Sequence, residues 1–297
     1  MIVFNARGRR GVAQLHFLPG NELAVRTGTG LCVWDLDTRA LRIDEVCAVP
    51  YPFLLTPDGR SLVLYNLARG LSVYSLGEAR WVGQPLRIGN RDFLLWSPDG
   101  QTLMAGGYSR QRPEDRFYSV ADWKPAPAFF TRPAPAVLTR RLVCHRYASI
   151  SPDGRRAVTY SSGTLSLYDL TADKFVKEIA LPITHPVPGL FTPDGSRFLV
   201  WSMFKIYAID LDAGKVALAY PACPRAVHGA TLTPDGRHLL QVSADRTVRV
   251  LDAGTGRLVK DYAWNAGKLA AVAVSPDGLL AACGGSGGKV VVWDLDL

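Results

Sequence analysis

The chain of 297 residues lacks long apolar runs and contains few cysteines. No stretch of about 18 apolar residues is present, so the sequence predicts no transmembrane helix. No apolar segment follows Arg7, Arg9 and Arg10, so we expect no signal peptide. The five cysteines are widely spaced, and none belongs to a Cys-x-x-Cys pair. This usage predicts buried thiols in a reducing compartment, and we expect a cytoplasmic protein.

The sequence also lacks the residue patterns that usually carry catalysis or bind metals. Its five histidines show no His-x-x-x-His spacing, so no metal site is predicted. No nucleophile elbow, kinase motif set or pair of catalytic carboxylates is present. The glycine-rich run Gly284–Gly288 joins two predicted strands and precedes no helix, so it lacks the physical basis for cradling a phosphate. These absences favour a non-enzymatic protein without a cofactor.

Lysine is scarce beside arginine: 26 of the 34 basic residues are Arg and 8 are Lys, and the net charge is +8. A basic balance can favour acidic partners, membranes or nucleic acid. Four of the arginines instead lie within two residues after a predicted turn, namely Arg60, Arg155, Arg197 and Arg237. Their spread favours an arginine-biased, high-GC genome, which we take to be bacterial, over one concentrated basic stripe.

What the chain does contain is the tetrapeptide Ser/Thr-Pro-Asp-Gly, which recurs six times. Its copies are 56–59, 97–100, 151–154, 192–195, 233–236 and 275–278, and 18–21 is a degenerate seventh. Successive prolines are separated by 38, 41, 54, 41, 41 and 42 positions. The 21 residues after Pro276 and the 19 up to and including Pro19 amount to 40, one more period. Repeats of this length indicate stacked supersecondary units, and the closing period favours a ring.

The segment 230–262 illustrates one repeat. Pro-Asp-Gly supplies a turn, because Pro presets φ, Asp bonds nearby amides and Gly takes a positive φ. The runs 239–242 and 247–251 read as strands joined by a tight polar turn at 243–246, and 257–262 reads as a further strand. Four short strands in about 40 residues match one blade of a β-propeller.

The third predicted strand often ends in an aromatic residue followed by Asp, as in Trp34-Asp35, Tyr168-Asp169 and Trp293-Asp294. Together with the turn and the period, this pattern resembles the WD-repeat family of β-propellers over essentially the whole chain. The resemblance implies an all-β, seven-bladed propeller with four antiparallel strands per blade. The family's Gly-His pair is missing, and Asp245 alone clearly fills its tight-turn Asp position. The resemblance therefore implies an incomplete version of the family's buried His–Asp–Ser/Thr–Trp network.

The two ends of the chain are predicted to complete one blade together. The run Val290–Leu295 reads as the third strand of the last blade, which lacks a fourth. The apolar run Met1–Asn5 is available to pair with it, and pairing would cover an otherwise open sheet edge. We therefore expect residues 1–5 to form the outer strand of the last blade, and residues 1–297 to form a single domain.

The third blade is irregular, because its repeat is longer than its neighbours by about 13 residues. In a propeller, the loops between second and third strands and the loops between blades lie on one face. That geometry would bring two arginine-rich loops together as a docking surface for an acidic or phosphorylated segment. The arginines concerned are Arg110, Arg112, Arg132, Arg140, Arg141 and Arg146.

Large apolar residues in loops form the second candidate for a binding surface. Trp201-Ser202-Met203-Phe204 stands where other blades have small polar residues, and we expect Trp201 to fold inward. Met203 and Phe204 are candidate anchors, because Met and aromatic residues are enriched at interface cores. Trp264, in the loop before the last blade, is a weaker candidate of the same kind.

These observations predict a protein-interaction scaffold or adaptor that binds a protein or peptide partner and no membrane. Two alternatives stay open at this point. One is a propeller hydrolase or lyase with its site at the mouth of the central channel, assembled from several blades. The other is an electrostatic nucleic-acid binder, which would need a contiguous basic stripe with aromatic residues; the scattered arginines argue against it.

Overall fold

The computed structural model describes residues 1–6, 11–46, 53–56, 58–66, 70–86, 93–97, 99–106, 116–124, 147–161, 163–172, 174–183, 187–264 and 266–297. Within these ranges the regular structure consists of strands, arranged in seven antiparallel sheets and without a helix. The predicted fold class is confirmed, since seven sheets in chain order are the content of a seven-bladed β-propeller. None of the described residues forms a helix that is long and apolar enough to cross a membrane.

The sheets follow the repeats of the sequence and are numbered here in that order. The first strand, β1 (Ile2–Asn5), belongs to sheet 7. Sheet 1 contains the next four strands, β2 (Val12–Leu18), β3 (Glu22–Thr27), β4 (Gly30–Asp35) and β5 (Leu41–Val46). Sheet 2 contains β6 (Phe53–Leu55), β7 (Ser61–Asn66), β8 (Gly70–Ser75) and β9 (Arg80–Leu86). The described part of sheet 3 contains β10 (Phe93–Trp96), β11 (Thr102–Gly106) and β12 (Arg116–Ser119).

The later sheets each contain four strands. Sheet 4 contains β13 (Tyr147–Ile150), β14 (Arg156–Ser161), β15 (Thr164–Asp169) and β16 (Lys174–Ala180). Sheet 5 contains β17 (Val187–Phe191), β18 (Arg197–Trp201), β19 (Ile206–Asp210) and β20 (Lys215–Ala219). Sheet 6 contains β21 (Val227–Leu232), β22 (His238–Ser243), β23 (Thr247–Asp252) and β24 (Leu258–Ala263). Sheet 7 contains β25 (Leu269–Val274), β26 (Leu280–Gly285), β27 (Lys289–Asp294) and β1.

The predicted pairing of the two chain ends is confirmed. β1 lies antiparallel to β27, in a register that runs from Ile2 opposite Val292 to Asn5 opposite Lys289. The backbone N–H of Ala6 then donates to the carbonyl of Gly288 over 2.8 Å, which extends the pairing beyond the strand. The N-terminal strand therefore completes the last sheet.

The chain forms two compact units, each with its own apolar packing between sheets. The first comprises residues 1–86, 203–205 and 220–297, and the second comprises residues 87–202 and 206–219. In the first, sheets 6 and 7 share one buried cluster, sheets 7 and 1 a second, and sheets 1 and 2 a third. In the second, sheets 4 and 5 pack through Val158, Leu165, Phe198 and their neighbours. Strand side chains that alternate between faces supply each sheet with an apolar surface on both sides.

The six Ser/Thr-Pro-Asp-Gly turns share one hydrogen-bond pattern. In each, the Ser or Thr hydroxyl donates to the Asp carboxylate over 2.5–2.6 Å, and the same carboxylate accepts the amide two residues later. The glycines have φ between 69° and 77°, a left-handed conformation that favours glycine. The hydroxyl bond is the largest influence on the pKa of five of these carboxyl groups and lowers it, namely in Asp99, Asp153, Asp194, Asp235 and Asp277. The turn therefore accounts for the presence of these Asp residues, as predicted.

A side-chain bridge ties sheet 1 to sheet 2. The Gln14 amide accepts the backbone N–H of Phe53 over 3.0 Å and donates to the carbonyl of the same residue over 2.8 Å. Its Nε2 also lies 2.9 Å from Nε2 of His16, which must act as the acceptor because the amide nitrogen only donates. Dense packing around the ring, which contacts Phe53 at 5.2 Å between centroids, lowers the pKa of His16 to about 4. His16 is therefore a neutral structural residue.

The neutral state of His16 predicts a loss of stability in acid. The unfolded chain takes up a proton at the ordinary pKa of 6.5, whereas the folded chain does so only near 4. The free energy of unfolding should therefore fall as the pH drops from about 6.5 to about 4, by about 2–3 kcal/mol for this group. Urea unfolding across this range checks it, with His16→Gln expected to flatten the slope. An identical slope in both proteins would contradict the assignment.

Candidate functional site

A concave, basic surface lies at the ends of sheets 6 and 7, on the side opposite the Pro-Asp-Gly turns. We call it the basic pocket, and its volume is about 790 Å³. Its lining residues are Phe204, Arg225, Ala226, His228, Ala244, Asp245, Arg246 and Lys268. All of them except His228, which lies in β21, come from loops that join second to third strands or join one sheet to the next. The pocket is thus formed mainly by the class of loop that was predicted to lie on one face.

Backbone hydrogen bonds fix the first wall of the basic pocket. The carbonyl of Met203 accepts the N–H of Val227 over 2.7 Å, and the carbonyl of Phe204 accepts the N–H of Cys223 over 2.8 Å. The short loop that carries Met203 and Phe204 is thereby held against the segment that enters sheet 6. Its apolar side chains project outward, with Met203 65% and Phe204 48% exposed.

The other walls are joined in the same way. Ala244 donates its N–H to the carbonyl of Ala226 over 2.9 Å, and the Ser243 hydroxyl donates to the carbonyl of Arg225 over 3.1 Å. His228 Nδ1 lies 2.9 Å from the carbonyl of Leu269, which links sheet 6 to sheet 7. Four chain segments that are distant in sequence are thus positioned by bonds that leave the side chains of Arg225 and Lys268 exposed.

A polar network lies behind the pocket wall. Asp245 accepts hydrogen bonds from the Thr247 hydroxyl and from Arg249, each over 2.6 Å. Arg249 reaches the Cys223 sulfur at 3.5 Å, and the Gln241 amide donates to the same sulfur over 3.1 Å. Burial alone would raise the pKa of Asp245, but the bonds from Thr247 and Arg249 outweigh it and lower the pKa. Asp245 is therefore ionised and its charge is already neutralised by Arg249.

This network replaces part of the one that the family resemblance implies. Asp245 and Thr247 occupy their expected places, and Arg249 supplies the positive donor where a histidine is missing. Burial raises the pKa of the Cys223 thiol, and the neighbouring Arg249 acts in the opposite direction. The side chains of Arg249 and Asp245 are largely buried. The network is therefore a structural support, and Cys223 is not a nucleophile, since the reactive form of cysteine is the thiolate.

The open surface of the pocket carries uncompensated positive charge. Arg225, Arg246 and Lys268 are exposed, and in the described part of the chain none of them forms an ion pair. The one carboxylate in the lining, Asp245, belongs to the pair with Arg249. The pocket is therefore suited to an anion, and the apolar surface of Phe204 lies at its edge.

The structure places the sequence-predicted residues in three different situations. Met203 and Phe204 are exposed beside the basic pocket, and Trp201 is buried as predicted. Trp264 packs against Tyr262 and Trp293, at 5.5 Å and 5.6 Å between ring centroids. The six arginines predicted for the third blade, at positions 110, 112, 132, 140, 141 and 146, lie outside the described residues.

Arg225, Arg246 and Lys268 were missed by reasoning from the sequence, although a signal for them exists. Arg246 ends the second-to-third loop of sheet 6, and Arg225 and Lys268 precede the first strands of sheets 6 and 7. The rule that gathers these loops on one face applies to them as it does to the third blade. The cluster is built from three short loops, whereas the predicted arginines belong to the longest repeat.

The glycine-rich run beside the pocket uses its amides internally. Ser286 donates its N–H to the carbonyl of Lys268 over 2.9 Å, and Gly287 and Gly288 donate to the carbonyls of Ala266 and Gly285. The Ser286 hydroxyl accepts the N–H of Lys268 over 3.0 Å. Because these amides already have partners, the run positions Lys268 and does not itself form an anion-binding loop.

The described residues outside the basic pocket include no metal-binding cluster, their cysteines are buried, and two cations of their second concavity have partners. No group of three or more His, Cys, Asp or Glu side chains suited to a metal ion occurs among them. The described cysteines, Cys32, Cys223 and Cys283, are buried and free, as expected. A second concavity of about 570 Å³ lies in the other unit, but there Arg156 pairs with Asp212 at 2.7 Å and Lys177 donates to the Asp212 carbonyl.

Comparison with known proteins agrees with the architecture. A family model described as "WD domain, G-beta repeat" matches residues 257–294, which cover β24 to β27. An uncharacterized WD repeat-containing protein of Synechocystis is 26% identical over 132 residues, 44% of this chain and 38% of the relative. The small ribosomal subunit protein RACK1 of Caenorhabditis elegans is 39% identical over 66 residues, 22% of this chain and 20% of the relative. The chain thus spans less than two fifths of the length of these relatives.

Proposed function

We propose that this chain, a member of the WD-repeat family, is a non-enzymatic scaffold that binds an acidic segment of a partner protein in the basic pocket. WD-repeat proteins generally act as platforms for other proteins, and the relatives matched above carry no enzyme name. One of them is named as a ribosomal subunit protein, a component of a larger assembly. An assembly role is therefore the function class that the comparisons support.

The observation that carries the proposal is the charge imbalance of the pocket. Three exposed cations, Arg225, Arg246 and Lys268, line one concavity, and the Asp245 carboxylate is already paired with Arg249. Unpaired cations on a concave surface attract anionic side chains and raise the rate of encounter with them. Arg can bind carboxylates or phosphates through two parallel hydrogen bonds, which adds directional specificity.

The exposed loop at Met203 and Phe204 supplies the apolar part of the proposed interface. An aromatic ring beside a polar pocket is the usual arrangement of an interface anchor. Its backbone is fixed by the bonds to Val227 and Cys223, so little ordering is needed when a partner binds. The predicted arginines of the third blade remain candidates for an additional contact.

The alternatives have less support. A nucleic-acid binder needs a basic stripe with aromatic residues in reach of successive phosphates, whereas the pocket is a single concavity whose exposed rings are those of Phe204 and His228. A hydrolase or lyase needs acids or histidines free to act. In the pocket, the one carboxylate is engaged by Arg249 and the one histidine is bonded to the carbonyl of Leu269.

The proposal is tested by affinity purification of tagged protein from its native cell lysate, followed by mass spectrometry. The variant Arg225→Glu/Lys268→Glu should lose specific protein partners. The matched control is Arg237→Glu/Arg257→Glu, which makes the same charge change on exposed arginines in turns at the other end of sheet 6. It should retain those partners.

The two variants together distinguish binding in the pocket from a general effect of charge. Partners retained by both variants would exclude the pocket, and partners lost from both would indicate a general charge effect. Nuclease treatment of the lysate separates protein partners from those recruited through nucleic acid. Circular dichroism of each variant verifies that the fold is intact.

A further inference from the structure

Arg246 holds a backbone conformation that glycine holds at the same place in sheets 4 and 7. Its φ is 73°, in the left-handed region. Gly163 and Gly288, which also immediately precede third strands, have φ of 83° and 69°. A residue with a Cβ is disfavoured in this region, whereas glycine is not. An arginine at this position therefore makes the turn less stable than a glycine would.

Packing does not explain the arginine. Its side chain is exposed and has no ion pair among the described residues. The turn is closed by the backbone, since the Arg246 N–H donates to the carbonyl of Ser243 over 3.1 Å. What the side chain does is line the basic pocket. A non-glycine residue in this region can be retained because its side chain has a function, and lining the pocket is the one that the structure offers for Arg246.

The charge of the pocket indicates which anion it fits. With Asp245 neutralised by Arg249, the lining presents the three positive charges of Arg225, Arg246 and Lys268. A single carboxylate carries one negative charge and would leave most of this charge unbalanced. A phosphorylated Ser or Thr carries about −1.5 to −2 and three strong acceptor oxygens at neutral pH, which suits several donors around one concavity.

We propose that the basic pocket binds a phosphomonoester on a partner segment, with Arg246 as a phosphate-contacting residue retained at the expense of turn stability. An apolar side chain next to the phosphorylated residue would lie on Phe204, at the edge of the pocket. This inference rests on the proposed function and specifies the ligand chemistry of the same site.

The substitution Arg246→Gly separates binding from stability. It removes the guanidinium and relieves the left-handed strain, so it should raise Tm by about 2–4 °C while weakening binding. Arg39→Gly is the matched control, because Arg39 also has a positive φ, of 58°, but lies in the turn between β4 and β5. It should raise Tm similarly and leave binding unchanged. Arg246→Lys keeps the charge without the planar fork and should bind with intermediate affinity.

The probe is a fluorescein-labelled library of ten-residue peptides with a central phosphothreonine, degenerate flanks and a leucine within two residues. Two further libraries replace phosphothreonine with Thr or Glu. By fluorescence anisotropy, wild type should bind the phosphorylated library at least about tenfold more tightly than either of the others. Arg246→Gly should remove most of that preference, and Arg39→Gly should keep it.

The outcomes distinguish the two proposals. Equal binding of the phosphorylated and Glu libraries would overturn the phosphate assignment and leave an acidic-segment site standing. A preference for phosphate that survives in Arg246→Gly would overturn the role of Arg246. Failure of all three libraries, together with partners retained by Arg225→Glu/Lys268→Glu, would overturn the pocket as a binding site altogether.

Discussion

Removal of residues 1–5 ahead of a new start methionine should lower Tm by more than about 10 °C. β1 covers the edge of β27 from Lys289 to Val292. Phe4 is buried in the cluster between sheets 7 and 1, with its ring 5.2 Å from that of Trp34. The deletion would expose both the edge and the apolar face of β27, and an open edge of this kind also promotes aggregation. Differential scanning calorimetry with light scattering measures both effects.

Two point variants separate the parts of this effect. Phe4→Ala should cost about 3 kcal/mol, because it leaves a cavity in a packed core. Val3→Thr, on the neighbouring residue whose side chain is 48% exposed, should change the free energy of unfolding by less than about 0.5 kcal/mol. An unchanged Tm after the deletion would mean that β1 does not fasten the last sheet in solution.

Gly285→Ala should be the most damaging single-methyl change in the last sheet. A Cβ at this position would lie 2.1 Å from the carbonyl oxygen of Lys268 and 2.9 Å from Cα of Leu269, both backbone atoms that cannot rotate away. β25 and β26 would have to separate where they are paired, and we expect a loss of about 3 kcal/mol. Because Lys268 moves with this backbone, the variant should also lower the affinity of the basic pocket for its ligand.

Gly77→Ala is the control for this substitution. Gly77 lies in the turn after β8, and a Cβ there would have no atom within 4 Å. It should leave stability unchanged or raise it slightly, because alanine restricts the unfolded chain. Chemical denaturation of both variants gives the comparison, and equal effects at the two positions would show that the close approach at Gly285 relaxes without cost.

The departures from the family pattern have a physical consequence that the sequence only half indicated. The missing Gly-His pair predicts an incomplete buried network, and the structure agrees for the histidine. It also shows what fills the gap: Arg249 bonds Asp245 at 2.6 Å and reaches the Cys223 sulfur at 3.5 Å. An arginine on the same strand as Thr247 could not be assigned this role beforehand, because the loop that brings Cys223 beside it comes from a different part of the chain.

The sequence by itself determined the repeating elements of this protein. Pro-Asp-Gly turns, period-two strands and tight polar turns act over a few residues, so the local pattern was sufficient to predict the strands of the seven sheets. The pairing of β1 with β27 followed from the repeat, because the last blade lacks a fourth strand and the N-terminal run supplies one. The same locality explains why the Asp of each turn could be assigned to structure rather than to catalysis. Local hydrogen bonds decide its environment wherever the sheets lie.

Only the tertiary structure decided where a ligand site is. The basic pocket joins Phe204, Arg225, Arg246 and Lys268, which span 65 residues of sequence and lie in four separate loops. Whether an arginine is free depends on which carboxylate is near it in space. Arg249 is paired with Asp245, whereas Arg246, three residues earlier, has no ion pair within the described part of the chain. Charge balance and concavity are properties of residues assembled from different repeats, and no pattern within one repeat contains them.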